Sequence, residues 1–545
     1  LDVRFAPVIQ KLRNLVFYAV VLVTGLSAWA ASAIDSRVGW LLVASVPLTV
    51  LGIYDLLQTR HSLLRNYPLI GHLRFLIEDV GPELRQYIVE DDTEGAPFTR
   101  DQRSVIYQRA KDAVDKKPFG TELDVYRSGY TWMQHSMAPR DPAPEAWRNL
   151  RVDIGGDACR QPYSASVLNV SAMSFGSLGE NAVVAIGRGA RMGGFSVDTG
   201  EGGLTRYHRD TGCDLVWQIG TGYFGCRTPD ARFDADAFRE RAADERVKMI
   251  EIKLSQGAKP GHGGVLPAAK VTPEIAAARD VPVGVDCISP PYHSAFSTPI
   301  ELLDFIVRLR ELSGGKPTGF KLCIGDPGEF LAVCKAMLET GTTPDFIVVD
   351  GGEGGTGAAP LEFSDYLGMP LREGLAFVRN ALVGTGLRGR IRIGASGKRI
   401  TGFGIANAIA LGADWCNTAR GFMFALGCIQ AQRCHTNQCP VGITTQNPRL
   451  QRALVVDEKA IRVRNFHRNT VAALAEVTAA AGLEHPRELD PDRIWERVGP
   501  TESHSWRQLY AYVEPGQLLS HSLSTLPDWL AERWQKADPR SFRRA

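Results

Sequence analysis

Net charge is almost absent from this chain: 62 lysines and arginines stand against 60 aspartates and glutamates, leaving +2 over 545 residues. That balance argues against a global basic field for nucleic acid and against an acidic solvating tail. Cysteine is also sparse. Of ten, Cys159, Cys213, Cys226, Cys287, Cys323, Cys334 and Cys416 are scattered singly, several inside apolar runs such as VGVDCIS and GFKLCIG. This is not the dense framework of a small secreted domain, and it favours a reducing cytosolic compartment with these seven thiols as packing groups. Solenoid-period repeats, long low-complexity tracts and a G-x-x-x-x-G-K-S/T phosphate loop are all missing, which removes repeat architectures and P-loop enzymes from consideration.

Long apolar runs are present at the N-terminus. Residues 15–34, LVFYAVVLVTGLSAWAASAI, carry no charge, and residues 38–54, VGWLLVASVPLTVLGIY, form a second run. About 20 apolar residues span a bilayer, so the pair predicts a transmembrane helical hairpin; a buried soluble hairpin is the alternative, since the second run is shorter and contains Pro47. Lys11 and Arg13 flank the first run and Arg60, His61 and Arg65 follow the second. The positive-inside rule then places both ends, and the body of the chain, on the cytoplasmic face of the inner membrane.

The rest divides into a polar, Arg-rich linker and cap at 56–150, a body at 151–450 and a charged, helical extension at 451–545. Within the body, short β-rich runs alternate with amphipathic stretches: VLNVSAM, GGFSVDTG, VKMIEIKL, VPVGVDCIS, TGFKLCIG, PDFIVVDGG, RIRIGASG and DWCNTARG. Eight such runs, apolar almost throughout and Gly-rich at their ends, predict an α/β fold, a (β/α)8 TIM barrel with its site at the C-terminal strand ends; a doubly wound open sheet is the rival. G-x-G-x-x-G occurs at 220–225, 352–357 and 384–389, but only the second follows a convincing strand, and no helix opens directly after it. A dinucleotide fold is therefore disfavoured. Read as barrel loops, Gly354, Gly355, Gly357, Gly397 and the segment from Ala419 to Gly421 offer backbone amides after strands six, seven and eight, where such barrels hold phosphate.

Lys253 and Lys321 interrupt strand-like runs, where a lysine faces a cleft or an anion or else makes an internal ion pair. Glu201, among glycines after strand two, is either a proton-exchanging group or a turn residue. Residues 428–442, CIQAQRCHTNQCPVG, gather the remaining cysteines, Cys428, Cys434 and Cys439, with Pro440 after the last. Three soft ligands suit a three-iron cluster; zinc, with His435 as a fourth donor, and plain burial remain open on spacing alone.

The stretch GCIQAQRCHTNQCPVGITTQ closely resembles the cluster loop of glutamate synthases. SAMSFGS, TGEGG, IKLSQGAKPGHGG and GGTGAAP resemble, in the same order, the other fingerprints of their FMN-binding barrel. RNYPLIGHLRFLIEDVGPELRQYI and the apolar hairpin resemble the shorter, membrane-associated branch of that family. The resemblance implies an oxidoreductase acting on CH–NH2 donors, with FMN and a 3Fe-4S cluster, that forms glutamate from 2-oxoglutarate and ammonia or an amine through an imino compound. It implies cluster ligation by Cys428, Cys434 and Cys439, and catalytic roles for Lys321, beside flavin and 2-oxo acid, and Glu201. It implies cofactor contacts from Ala172, Met173, Ser174, Thr199, Gln256, Lys321, Gly354, Gly355, Gly397 and Arg420. A ferredoxin, a quinone or a separate reductase is the expected electron donor, and a homo-oligomer is compatible. Residues 1–545 are expected to contain no counterpart of the family's glutaminase or β-helical segments. Asp198, His262, Glu353, Ser396 and Lys398 stand where the family has other residues, and the segment after Lys321 departs from it. Those departures bring in a flavoenzyme for another amine or 2-oxo acid, or a membrane-anchored electron-transfer module, as alternatives.

Overall fold

The computed structural model describes residues 14–142, 144–520, 523–524 and 526–542. Lys11 and Arg13 lie outside the described residues. Contacts divide the chain into two units, the first through Arg100 and the second from Asp101.

In the first unit, helices Leu15–Ala33 and Trp40–Leu57 are joined by the tight turn Ser36–Gly39. Gly52 is required where they meet, because a Cβ there would lie 2.3 Å from the Phe17 ring. The hydroxyls of Thr24 and Thr49 meet at 2.9 Å across the same seam. Most side chains of both helices point outward, and each helix is long and apolar enough to cross a membrane by length and composition. At the end of the second, the carboxylate of Asp55 is fully buried; it accepts from the Leu69 amide at 3.0 Å and contacts His72 Nε2 at 2.9 Å. Helix Ile70–Leu84 follows.

The second unit holds a closed barrel of eight parallel strands: β1 Leu168–Val170, β2 Val197–Asp198, β3 Leu215–Ile219, β4 Val247–Lys253, β5 Thr318–Leu322, β6 Phe346–Asp350, β7 Arg392–Ser396 and β8 Trp415–Thr418. The outer helices are α1 Glu180–Gly193, α2 Arg206–Arg209, α3 Ala235–Ala242, α4 Pro299–Leu312, α5 Pro327–Thr340, α6 Leu371–Gly384, α7 Gly402–Ala410 and α8 Arg420–Leu426. Local chemistry sets several helix starts. The Thr298 hydroxyl accepts from the Glu301 amide at α4, and the Asp326 carboxylate accepts from the Gly328 amide at α5, each with Pro at the first helical position. β8 returns to β1 with Cys416 beside Leu168 and Thr418 beside Val170, closing the cylinder.

An antiparallel ribbon, Arg151–Ile154 with Tyr163–Ser166, precedes β1. Its Ile154, Tyr163 and Ala165 pack with Val216, Met249, Phe346, Val348 and Trp415 from the strands. This apolar plug, worth roughly 1.5–3 kcal/mol for each large side chain buried, fills the N-terminal mouth and leaves the opposite end for a site. The helix Val456–Ala480 packs on α1, where Gly189 admits Val463.

The number and direction of strands match the expectation from sequence, but one assignment is corrected. VPVGVDCIS is not a barrel strand: Val283, Val285 and Ile288 are exposed, and only Cys287–Ile288 pairs, antiparallel with Val265–Leu266. The third strand is instead Leu215–Ile219, buried at every position. The C-terminal extension is also not purely helical, because Ile494–Arg497 and Ser503–Ser505 form a three-stranded sheet with Thr131–Met133 of the cap region.

Candidate active site

The C-terminal strand ends open into a cleft with a cavity volume of about 140 Å³. Ala172, Met173 and Ser174 line it after β1, Glu201 after β2, Gln256 after β4, Gly355 after β6 and Arg420 at the start of α8. Cys434 and His435 of the thiol loop line the same cleft. Segments far apart in sequence are thus brought together because each follows a parallel strand.

Two glycines in these loops stand at close approaches. A Cβ on Gly355 would sit 2.4 Å from Cζ of Arg420, and one on Gly257 would sit 1.7 Å from the backbone oxygen of Gly351. The loops after β4 and β6 therefore meet backbone to backbone, and the loop after β6 meets the Arg420 side chain of α8. Lys259 Nζ donates to the Ala358 carbonyl at 2.8 Å, tying the first two together.

The cleft is cationic. Lys253 projects from the end of β4 and pairs with Glu201 Oε1 at 3.1 Å. Burial pushes the Glu201 carboxyl up, but Lys253, with help from Arg279 and Lys259, wins and holds it below the usual range. Lys259 and Lys270 are each lowered to about 8 by burial, with the charges of Glu201 and of Cys434 and Cys439 respectively opposing the shift. Arg420 is likewise lowered by burial. Lys253, Lys259, Lys270 and Arg420 share this lining with Glu201, an arrangement that fits a phosphate-bearing or carboxylate ligand.

Other residues named from sequence lie elsewhere. Lys321 is 5% exposed, lies outside the cleft lining and is drawn to Asp350 at 3.4 Å. Burial depresses its basicity, yet Asp350, Glu251 and Asp198 overcome this and raise it. Thr199 is fully buried; its hydroxyl donates to the Gly200 carbonyl at 3.0 Å and accepts from the Gln218 amide at 3.2 Å, bracing β2 against β3. Gly354 packs on Asp350 and Gly351, and Gly397 adopts φ +141° beside Leu371. Glu353 accepts from the Leu371 amide at 2.9 Å and so caps α6, while His262 bonds its neighbouring Gly263 carbonyl and meets the Phe363 ring edge-on.

Sequence reading passed over Gln218, Glu251, Lys259 and Lys270, and ranked Lys253 below Lys321. A signal was available in IEIKL: Glu251 and Lys253 are two apart on one strand and share its inward face.

All ten cysteines are free. The Cys428 thiol is pushed up to about 12 by burial, despite the Gln430 amide donating to its sulfur at 3.4 Å. Burial also opposes ionisation of Cys439, but hydrogen bonds from Thr444, Val441 and Ile443 hold it below the usual thiol range. The donor chemistry around Cys439 thus suits a thiolate ligand. Among the described residues, no group of three or more His, Cys, Asp or Glu side chains is already gathered as a metal site.

The conserved region in glutamate synthase matches residues 155–484. The glutamate synthase large subunit-like protein YerD of Bacillus subtilis is 38% identical over 493 residues, covering 83% of this chain and 93% of that one. The archaeal-type glutamate synthase (NADPH) of Thermotoga neapolitana is 35% identical over 325 residues, 59% of this chain and 61% of that one. The archaeal glutamate synthase (NADPH) of Methanocaldococcus jannaschii is 37% identical over 327 residues, 59% and 60% respectively, so the chain spans about three-fifths of the length of these two. The matched region takes in the whole barrel, its cationic cleft and the thiol loop, and the chain belongs to the glutamate synthase family.

Proposed function

We propose that this protein is an FMN- and iron–sulfur-dependent oxidoreductase of glutamate synthase type that forms glutamate, or a related amino acid, from 2-oxoglutarate through an imino compound. Ammonia or an amine comes from a partner, and electrons come from a ferredoxin, a quinone or a separate reductase. The observation that carries this reading is the convergence of Met173, Gln256, Gly355, Arg420 and Cys434 on one cleft. Ala172, Met173, Ser174, Gln256, Gly355 and Arg420 would hold FMN, and Cys428, Cys434 and Cys439 would hold the cluster. When bound, these groups supply hydride and one-electron chemistry. The chain's own share is charge and position. Lys253 and Lys259 offer ammonium groups to a substrate carboxylate, and Glu201, kept ionised by Lys253, can accept a hydrogen bond from an amine or imine. The apolar hairpin tethers the barrel to the cytoplasmic face of the inner membrane.

A 2-oxo acid or amine other than the glutamate pair is the second reading. It is favoured by Lys321, which is engaged by Asp350 and lies outside the cleft lining, so that substrate charge in the cleft is met from β4 by Lys253.

The test is purification of the chain in detergent, absorption and paramagnetic resonance spectra, and titration of the reduced protein with 2-oxoglutarate and ammonium. Flavin and cluster signals, with flavin reoxidised by both substrates together, are the expected result. A loaded protein that transfers electrons to quinone but to no 2-oxo acid overturns the reading.

A further inference from the structure

Below the cleft floor lies a group of charges that the proposed reaction does not yet use. Asp198 on β2 and Glu251 on β4 are 3% and 1% exposed. Gln218 on β3 stands between their strands and donates through Nε2 to Glu251 at 2.7 Å, with Asp198 Oδ2 at 3.5 Å from the same nitrogen. One amide nitrogen therefore holds both carboxyls close together in a site shut off from water. Two carboxylates buried this close to each other ionise together only if enough positive charge faces them; otherwise one keeps a proton.

The surroundings supply too little positive charge to ionise both. Lys321 from β5 is the cation facing the pair, and it is already paired with Asp350 from β6. Asp350 is itself held by the Gly257 amide at 2.9 Å. Asn169 from β1 and Asn417 from β8 are neutral, as is Ser396 from β7, which bonds Ser171. Burial raises both carboxyls, Asp198 well above its ordinary range, and the charge of Glu251 adds to the rise at Asp198 while that of Asp350 adds to it at Glu251. A small internal void touches both, and Gln218 also lines the cleft above.

We infer that Asp198 and Glu251 share a single proton under the cleft and act through Lys321 as positioning residues, forming a proton reserve for reduction in the cleft. If Lys321 gives up a proton upward, the O–H bond of the pair breaks and an N–H bond re-forms on Lys321, leaving two carboxylates around a restored ammonium. Water then returns the proton to the pair. The reserve's use rests on the reductive reading above; its existence does not.

Infrared spectroscopy of the full chain in detergent, without added cofactors, tests it at neutral pH in H2O and D2O. The carbonyl stretch of a protonated carboxylic acid is expected, shifted in D2O and lost in both Asp198→Asn and Glu251→Gln. Absence of that band in the wild-type protein, or its survival in both variants, overturns the proposal, and the wild-type spectrum alone decides if one variant does not fold. In the FMN-loaded protein, Asp198→Asn is expected to shift the pH profile of flavin reoxidation while leaving FMN affinity within about twofold; a purely structural role would leave the profile in place. A band that behaves as stated, in a protein that reoxidises with no 2-oxo acid, removes the function and keeps the shared proton.

Discussion

Lys253 Nζ and Glu201 Oε1 lie 3.1 Å apart and connect strand ends that are not neighbours, since β3 runs between β2 and β4. The pair spans the floor of the cleft, and both side chains are largely shielded from water.

Lys253→Met should therefore leave Glu201 buried without its main counter-charge. Breaking such a pair costs about 3–5 kcal/mol, much of it relieved by protonation of the stranded carboxyl. Denaturant unfolding is expected to show the loss at pH 7 and a smaller one near pH 5. Combining Lys253→Met with Glu201→Gln should recover part of it, and the double-mutant cycle measures the coupling.

Lys259 and Lys270, lowered to about 8, give two opposing trends with pH. Their folded values lie below the unfolded 10.5, so the unfolded chain binds more protons between about 8 and 10.5 and their contribution to stability rises across that window. Anion binding needs the ammonium forms, so affinity for FMN or inorganic phosphate should fall as pH passes 8. Calorimetric titration at pH 7 and pH 9 checks the second trend, and thermal unfolding over the same range checks the first.

Two glycines in the cleft loops separate folding from binding. In Gly355→Ala the methyl meets the movable end of Arg420, so the fold should persist while FMN affinity drops about tenfold, equivalent to roughly 1.4 kcal/mol. In Gly257→Ala the methyl meets the Gly351 backbone oxygen, which has no such freedom, and a destabilisation of about 2–4 kcal/mol is expected. Flavin fluorescence quenching and denaturant melts distinguish the two.

The barrel was legible because strands buried on both faces leave apolar runs that no half-exposed strand produces. The same rule failed at VPVGVDCIS, whose Val283 and Val285 are as apolar as any valine in the barrel but face solvent. Leu215–Ile219 escaped notice because LVWQI is short and runs directly into the glycines of GTGYFG, which draw attention as a nucleotide signature. Composition cannot separate these two runs; burial does. The cleft's charges were partly hidden for a different reason. Lys321 and Lys253 sit side by side in register on β5 and β4, and their difference lies in the partners, Asp350 for one and Glu201 for the other, which are distant in sequence.

The thiol loop offers a prediction with a spectroscopic readout. Cys434 lines the cleft, so Cys434→Ser should abolish the paramagnetic signal expected of the loaded cluster while the denaturant midpoint of the cofactor-free barrel stays within about 0.5 kcal/mol of wild type. Cys334→Ser, deep in the helix–strand layer, should do the reverse, because a hydroxyl there replaces a fully buried thiol.

The pairing of β8 with β1 has a consequence for how the protein is made. Leu168 meets Cys416 only after nearly half the chain has emerged between them. Until then both strands are open edges, and loop closure over such a distance must precede the contacts that reward it. The ribbon Arg151–Ile154 with Tyr163–Ser166 is translated first and already carries part of the apolar plug, giving the later strands a surface to assemble on. A ribosome-bound chain ending before Trp415 should thus be readily cleaved by protease, and one extended beyond the helix Val456–Ala480 should resist it.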